Sequence, residues 1–262
     1  MIDLIISLIV FQGSAVIVDI PSEHAVDEAS LEWNEQRYEF EKLDNDTLTV
    51  LIGVDLDQSP SLYTIPIDLI QGSNHAQATL LLEVKKENFP TTELTVEPQY
   101  VQLSPENLAR ANEESREISA HYALNSEQSG WTSSFIVPLS DASEGSNFGH
   151  RRIFNGEPRA PHSGADLAAQ SGTPVFASNS GVVILAKNLF FSGNAIFLDH
   201  GSGIFTTYLH LSEILIEESA FVEQGELIGK VGATGRVTGP HLHWGARIKN
   251  TRIDPFSLVA TH

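Results

Sequence analysis

Thr238-Gly239-Pro240-His241-Leu242-His243-Trp244 is the stretch whose reading decides the fold. Pro240 has no N–H and restricts its predecessor, so the chain enters this segment extended. In a strand, residues two apart share a face. His241 and His243 are therefore neighbours on one side, while Leu242 and Trp244 point to the other. An apolar face seeks a core, and the opposite face presents two imidazoles. Burying imidazoles is costly unless the rings have partners. Zinc is a natural partner, and a structural His-x-His pair is the competing reading.

Working outward, Phe205–Leu211 alternates in the same way. Thr206, Tyr208 and His210 read as the polar face of a strand, against Thr207, Leu209 and Leu211. His162-Ser163-Gly164-Ala165-Asp166 spaces an imidazole and a carboxylate by four, and Gly164 argues for a loop leading into a short strand rather than a helix. Each of these signals alone also fits a solvated or surface residue. Together, His162, Asp166, His210, His241 and His243 supply three zinc ligands and two spare imidazoles. The chain has no cysteine, so any metal must be held by His and carboxylate. A catalytic zinc keeps three protein ligands and an open position, and spare imidazoles suit the proton transfers of a hydrolysis. The spacing does not say which of the five are ligands.

The segment Phe148–Ile248 closely resembles the lysostaphin-type (LytM-type) zinc endopeptidases that cut peptidoglycan peptides. The matching stretches are Phe148-Gly149-His150-Arg151-Arg152, Pro161–Ala169, Gly172-Thr173-Pro174-Val175, Gly193-Asn194, Leu198-Asp199-His200-Gly201, Tyr208-Leu209-His210-Leu211-Ser212, Gly225–Gly229 and Thr238–Trp244. The resemblance implies that His162, Asp166 and His243 hold Zn²⁺ and that His210 and His241 are catalytic histidines outside the ligand set. Trp244 stands where the family usually has Phe. The resemblance further implies hydrolysis of peptidoglycan cross-links, at D-amino acid (DD) or glycyl bonds, and a periplasmic or extracellular location. Some relatives with degenerate sites only regulate another wall hydrolase, but here every metal and catalytic position is filled. A carbohydrate- or lipoyl-binding β-module would account for Val222–Gly235 and leave the histidines unexplained.

The expected fold is mainly β. Residues 14–102 read as an Ig-like antiparallel β-sandwich, with strands at Ala15–Ile20, Arg37–Glu41, Thr47–Asp55, Leu62–Ile70, Ala78–Val84 and Leu94–Gln102. This region resembles, loosely, the leader domain of some Gram-negative members, on Gly53–Asp57 and Leu62-Tyr63-Thr64. Ser104-Pro105-Glu106 is a helix start, with Ser as N-cap and Pro at the first helical position. The linking helix is expected to reach about Tyr122 with Leu108, Ala111, Ile118 and Tyr122 on one face, and Asn125–Gly130 to mark the boundary within 103–130. Residues 131–262 read as the zinc endopeptidase domain, an antiparallel sheet of LytM type with lipoyl-like hairpin topology. Its strands are expected at Thr173–Ala177, Gly181–Ala186, Ala195–His200, Phe205–Leu211, Leu227–Val231 and His241–Ile248.

Charge divides the chain. Residues 1–130 carry 6 Lys+Arg against 23 Asp+Glu (−17), and residues 131–262 carry 9 against 11 (−2). So acidic a first half argues against nucleic acid and anionic membranes as partners. A monomer acting on peptidoglycan peptides is the expectation. The apolar run near the N-terminus is too short to span a bilayer and fits either a signal remnant over residues 1–13, with Gly13-Ser14-Ala15 as cleavage site, or a first strand. His24, His75, His121, His150, His200 and His262 read as ordinary structural or exposed histidines. Arg151 and Arg152 are candidates for meeting substrate carboxylates.

Overall fold

A computed structural model describes residues 4–21, 26–42, 47–97, 102–123, 131, 134–140 and 147–259. The strands of the first half are β1 (Ile5–Phe11), β2 (Ala15–Ile20), β3 (Glu28–Trp33), β4 (Gln36–Glu39), β5 (Glu41–Lys42), β6 (Leu48–Gly53), β7 (Ser61–Gln71), β8 (Asn74–Lys85) and β9 (Thr91–Leu94). Helix α1 (Pro105–Ala123) follows. The second half holds β10 (Arg151–Phe154), β11 (Glu157–Arg159), β12 (Gly164–Ala168), β13 (Pro174–Phe176), β14 (Gly181–Leu189), β15 (Gly193–Asp199), β16 (Ile204–Leu211), β17 (Glu213–Ile214), β18 (Phe221–Val222), β19 (Leu227–Lys230), β20 (His241–Ile248), β21 (Thr251–Ile253) and a short α2 (Phe256–Val259). The chain is mainly β, as the alternating pattern predicts.

In the first half a five-stranded sheet, β1-β8-β7-β3-β4, packs with the three-stranded β2-β6-β5. Their shared core includes Leu31, Ile67, Leu80 and Leu82 from one sheet and Val18, Ile20 and Ile52 from the other. Each such side chain contributes about 1.5–3 kcal/mol on burial. Trp33 sits in this core and its indole N–H donates to the Gly53 carbonyl at 2.8 Å, satisfying its one polar atom. The apolar run at the N-terminus is β1, parallel to β8, with Ile5 and Ile9 exposed. Strand β3 has no counterpart among the expected strands. The strand expected at 94–102 is displaced: β9 ends at Leu94, and the Asn155 side chain takes both backbone groups of Val96, at 3.0 Å each, in place of a ladder partner. Residues 98–101 lie outside the described ones.

The Asn107 N–H donates to Ser104 Oγ at 3.2 Å, so the N-cap forms as expected. Ile118 and Tyr122 pack on Leu185, Leu189 and Phe197, whereas Leu108 is 48% exposed and does not join that face. The boundary expected at 125–130 falls outside the described residues, as do His24 and His262.

The second half is organised by a sheet in the order β12-β20-β16-β15-β14-β18, with β21 also paired to β20. Leu242 and Trp244 are fully buried with Ala165, Leu167 and Tyr208. Ile204, Ile248, Ile253 and Leu258 belong instead to the cluster containing the first-half sandwich, so one buried core spans both halves. Among the described residues the ladders are antiparallel except for two parallel pairings, β1 with β8 and β9 with β10. Through the second of these, first-half chain extends the small β11-β10 sheet beside the histidine face.

Candidate metal centre

Strands β12 and β20 run antiparallel with Asp166 directly opposite His243 and Ala168 opposite His241. Opposed residues share a face, so the sheet places Asp166, His241 and His243 together on the side away from Leu242 and Trp244. His162 arrives from the loop before β12, its backbone paired with His150 and Gly149. Gly164 lets the loop close: a Cβ there would lie 2.5 Å from the Trp244 carbonyl and 2.7 Å from His243 Nε2.

The three donor atoms converge. His162 Nε2 lies 2.9 Å from His243 Nδ1 and 3.0 Å from Asp166 Oδ1, and His243 Nδ1 lies 2.8 Å from the same oxygen. His162 donates its Nδ1–H to the Asn147 carbonyl at 3.0 Å, which leaves Nε2 with its lone pair toward the other two. Two nitrogens and an anionic oxygen in so small a space need a proton or a cation between them. His162, Asp166 and His243 are the group whose donor atoms all lie within 4.8 Å of one another. Their imidazole and carboxylate chemistry suits Zn²⁺.

Asp166 is held on both sides. Its Oδ1 faces the histidines, while Oδ2 accepts from Arg152 Nη2 at 2.9 Å and Asn147 Nδ2 at 3.2 Å. Its own N–H donates to Asn147 Oδ1 at 2.9 Å. Burial alone pushes the Asp166 carboxyl up. Hydrogen bonds and charge from His162 and His243 outweigh it and hold the group well below the usual carboxylate range. His243 is pushed down, chiefly by burial, with its bond to Asp166 opposing.

His210 reaches this face by an irregularity. Tyr208 pairs with Trp244 on the core side, and Leu209 pairs with His243 on the histidine side. Strict alternation would return His210 to the core. The register between β15 and β16 shifts at this point, and His210 takes φ 65°, a backbone conformation rare outside glycine. Leu211 then re-enters the core cluster with Tyr208. The expected polar face of Thr206, Tyr208 and His210 is thus corrected: Thr206 and Tyr208 are buried on the core side, and a bulge turns His210 away from them. Such strain is characteristic of functional positions.

His210 and His241 are held alike. His210 donates Nδ1–H to the Thr234 carbonyl at 2.9 Å, and His241 donates its own to the Gly239 carbonyl at 2.8 Å. Each therefore presents an Nε2 lone pair. The two rings are 5.0 Å apart, and His241 Nε2 is 3.7 Å from Asp166 Oδ1. Burial first, then the charge of His243, pushes His210 down to about 3, so its imidazole is neutral at ordinary pH.

All five expected site residues are brought together in a cleft of about 420 Å³, whose walls include Leu94 and Val96 from the first half. Asn147 was not anticipated, because its contacts depend on loop closure and its residue type carries no metal signature. Arg152, expected to meet substrate, is tied to Asp166, and Arg151 is exposed. His150 bonds Thr92 Oγ1 at 3.0 Å. His200 is wholly buried in a separate network.

Residues 160–255 match the model of Peptidase family M23. Over 100 residues the chain is 48% identical to the peptidoglycan DD-endopeptidase ShyA of Vibrio cholerae, covering 38% of this chain and 23% of that relative. It is 46% identical over 98 residues to the DD-carboxypeptidase/endopeptidase Mpg of Neisseria meningitidis, covering 37% and 23% respectively. The matched segment thus spans about a quarter of the length of these relatives. A solved Pseudomonas aeruginosa structure described as a candidate peptidase M23 covers 96% of both chains, with TM-score 0.73 and 26% identity. Alignment over nearly the whole length extends the likeness to the first-half sandwich. The chain carries a Peptidase family M23 domain, of LytM type, at residues 160–255.

Proposed function

We propose that this protein is a zinc-dependent endopeptidase that hydrolyses peptide cross-links of bacterial peptidoglycan. The observation that carries the reading is the convergence of His162 Nε2, Asp166 Oδ1 and His243 Nδ1 within 3.0 Å, beside two imidazoles whose Nε2 atoms are left to act. Zinc held by these three residues would supply Lewis acidity and lower the pKa of water toward about 7. His210 and His241 divide the proton work. One Nε2 takes the proton of the attacking water, and the other holds a proton for the oxyanion or the leaving amine. Asn147 and Arg152 keep Asp166 turned with one oxygen toward the histidines. Sandwich residues 14–102 and the linking helix precede a peptidase region at 131–262, and the strand pairing of β9 with β10 gives the first half a share of the cleft wall.

The names of the curated relatives favour DD cross-links, D-alanyl–diaminopimelate, over glycyl bridges. A substrate of this kind places the enzyme in the periplasm or outside the cell. Among the described residues no helix is long and apolar enough to cross a membrane. Digestion of purified sacculi by the zinc-loaded protein, with mass analysis of the fragments, tests the reading. New amino termini at diaminopimelate are expected, and intact sacculi at one zinc per chain would overturn it.

A further inference from the structure

Side chains of the linking helix α1 grip the β14–β15 hairpin at several points, and only one of them reaches the bend. Lys187, within β14, pairs with Glu117. Arg110 Nη2 donates to the Asn188 side-chain oxygen at 3.2 Å. Leu189 pairs with Gly193, so residues 190–192 close the hairpin, and here Glu114 Oε2 accepts the Phe190 N–H at 2.8 Å. The other oxygen of Glu114 accepts from Arg110 Nε at 2.7 Å, and the Glu114 side chain is only 15% exposed. A charge-assisted bond so little hydrated is stronger than the same contact in water.

This turn carries the support of His210. The Ser192 carbonyl accepts the His210 N–H at 2.9 Å, at the residue whose φ of 65° swings the ring out of the core. The turn also braces the loop that holds the ring. The Phe191 carbonyl accepts the Arg236 N–H at 2.8 Å, and the Asn194 N–H donates to Thr234 Oγ1 at 2.9 Å. The two backbones meet with no room for a side chain. A Cβ on Gly193 would lie 2.3 Å from the Thr234 carbonyl carbon, and one on Gly235 would lie 2.3 Å from the Gly193 nitrogen. Thr234 in turn accepts the His210 Nδ1–H. The backbone and the ring of His210 are therefore both referred to one turn. A strained conformation of this kind persists only where its surroundings over-determine it.

We infer that Glu114 is a positioning residue for His210: by holding the Phe190 N–H, it fixes the turn from which the backbone and the ring of His210 are both set. The inference rests on the endopeptidase reading and extends its machinery to the linking helix, outside the matched segment 160–255. Glu114 acts through Phe190 and Ser192 and not on substrate. Its loss should lower turnover while leaving zinc and peptide binding in place.

The test uses the zinc-loaded, full-length protein, a D-alanyl–diaminopimelate cross-linked peptide and two nearly isosteric variants. Glu114→Gln keeps an oxygen for the Phe190 N–H and Glu114→Met does not, while both residues suit a helix. Glu114→Met should lower kcat about 10- to 100-fold with KM and zinc stoichiometry unchanged, and Glu114→Gln should recover most of that loss. Glu117→Ala frees Lys187 without touching the turn, and should keep kcat within about twofold of the parent. In a His210→Ala background Glu114→Met should cost little more, because two steps of one route are not additive. Parent-like kcat in Glu114→Met overturns the inference. So does an equal loss in Glu114→Gln, in Glu117→Ala, or on top of His210→Ala. Should Glu114→Met fail to fold, Glu114→Ala takes its place in every comparison. A parent enzyme that leaves the peptide uncut removes the endopeptidase reading itself, and this inference with it.

Discussion

A lone histidine, His200, and a cluster of four lie on opposite faces of β16, and burial does not distinguish His200 from His162, His210 or His243. On the core side, His200 has Nδ1 2.7 Å from the Ser180 carbonyl and Nε2 2.8 Å from Thr206 Oγ1. The neutral ring's Nε2 takes the single Thr206 hydroxyl proton, and Thr206 Oγ1 also pairs with the Tyr208 hydroxyl at 2.9 Å, which accepts the Ser178 N–H at 2.8 Å. Both ring nitrogens have ordinary partners, and the network is closed. On the other side, His162, His210 and His241 each spend one nitrogen on a backbone carbonyl and aim the second into shared space. A structural histidine satisfies both nitrogens locally. A chemical one is pinned by the first and leaves the second for something that is not protein.

The strongest way to break this contrast is His243→Ala. Removing one of three ligands should lower zinc affinity by roughly 3–5 kcal/mol, a share of the total for structural zinc sites, measured by competition with a chromophoric chelator. Zinc held as tightly as before would move the metal elsewhere. His210→Ala should keep its zinc and lose about 10²- to 10⁴-fold in turnover on sacculi. Undiminished turnover in metal-replete protein would show that the bulge at His210 serves packing and not proton transfer.

His200 sharpens the comparison from the closed side. Its pKa is lowered to about 4 by burial, with the Ser180 carbonyl opposing, against an ordinary value near 6.5. The folded state therefore binds fewer protons than the unfolded chain between these values. Stability supplied by the neutral ring is fully present above pH 6.5 and is lost as pH falls through about 4. The loss should amount to about 3 kcal/mol, read from urea unfolding of metal-free protein at a series of pH values. In His200→Gln the corresponding slope should be absent. An identical slope in parent and variant would place the acid sensitivity in other groups.

Much of this was legible in the sequence, for a reason that particular strands make plain. Leu242 and Trp244 alternate with His241 and His243, and a two-residue period needs no tertiary information to assign faces. The N-cap at Ser104 is equally local. His210 shows where periodicity fails: alternation assigned it to the side of Thr206 and Tyr208, and a single residue with positive φ reversed it. Strand β3 does alternate, polar Glu28, Ser30 and Glu32 against buried Ala29, Leu31 and Trp33, but two Glu and an Ala in six residues give it a low strand propensity. Leu94 and Val96 became cleft walls through a parallel pairing of residues 60 apart in the chain, from Arg151↔Thr91 to Phe154↔Leu94. Separation of that kind leaves no local pattern.

Asn147 is the finest test of what divides the two sites. Its carbonyl fixes the His162 tautomer, its Oδ1 accepts the Asp166 N–H, and its Nδ2 donates to Asp166 Oδ2. Only the last two contacts depend on the side chain. Asn147→Ala should therefore leave His162 oriented while freeing Asp166 to rotate, with Arg152 alone holding Oδ2. The expected result is a 10- to 100-fold weaker zinc affinity, roughly what loss of an outer-shell partner costs, and a smaller change in stability than His200→Gln produces. Asn147→Asp separates geometry from charge: it can still accept from the Asp166 N–H, but it sets a second anion against Oδ2. If Asn147→Ala binds zinc like the parent protein, Arg152 suffices to orient the carboxylate, and the pinning of ligands from outside rests on one residue instead of two.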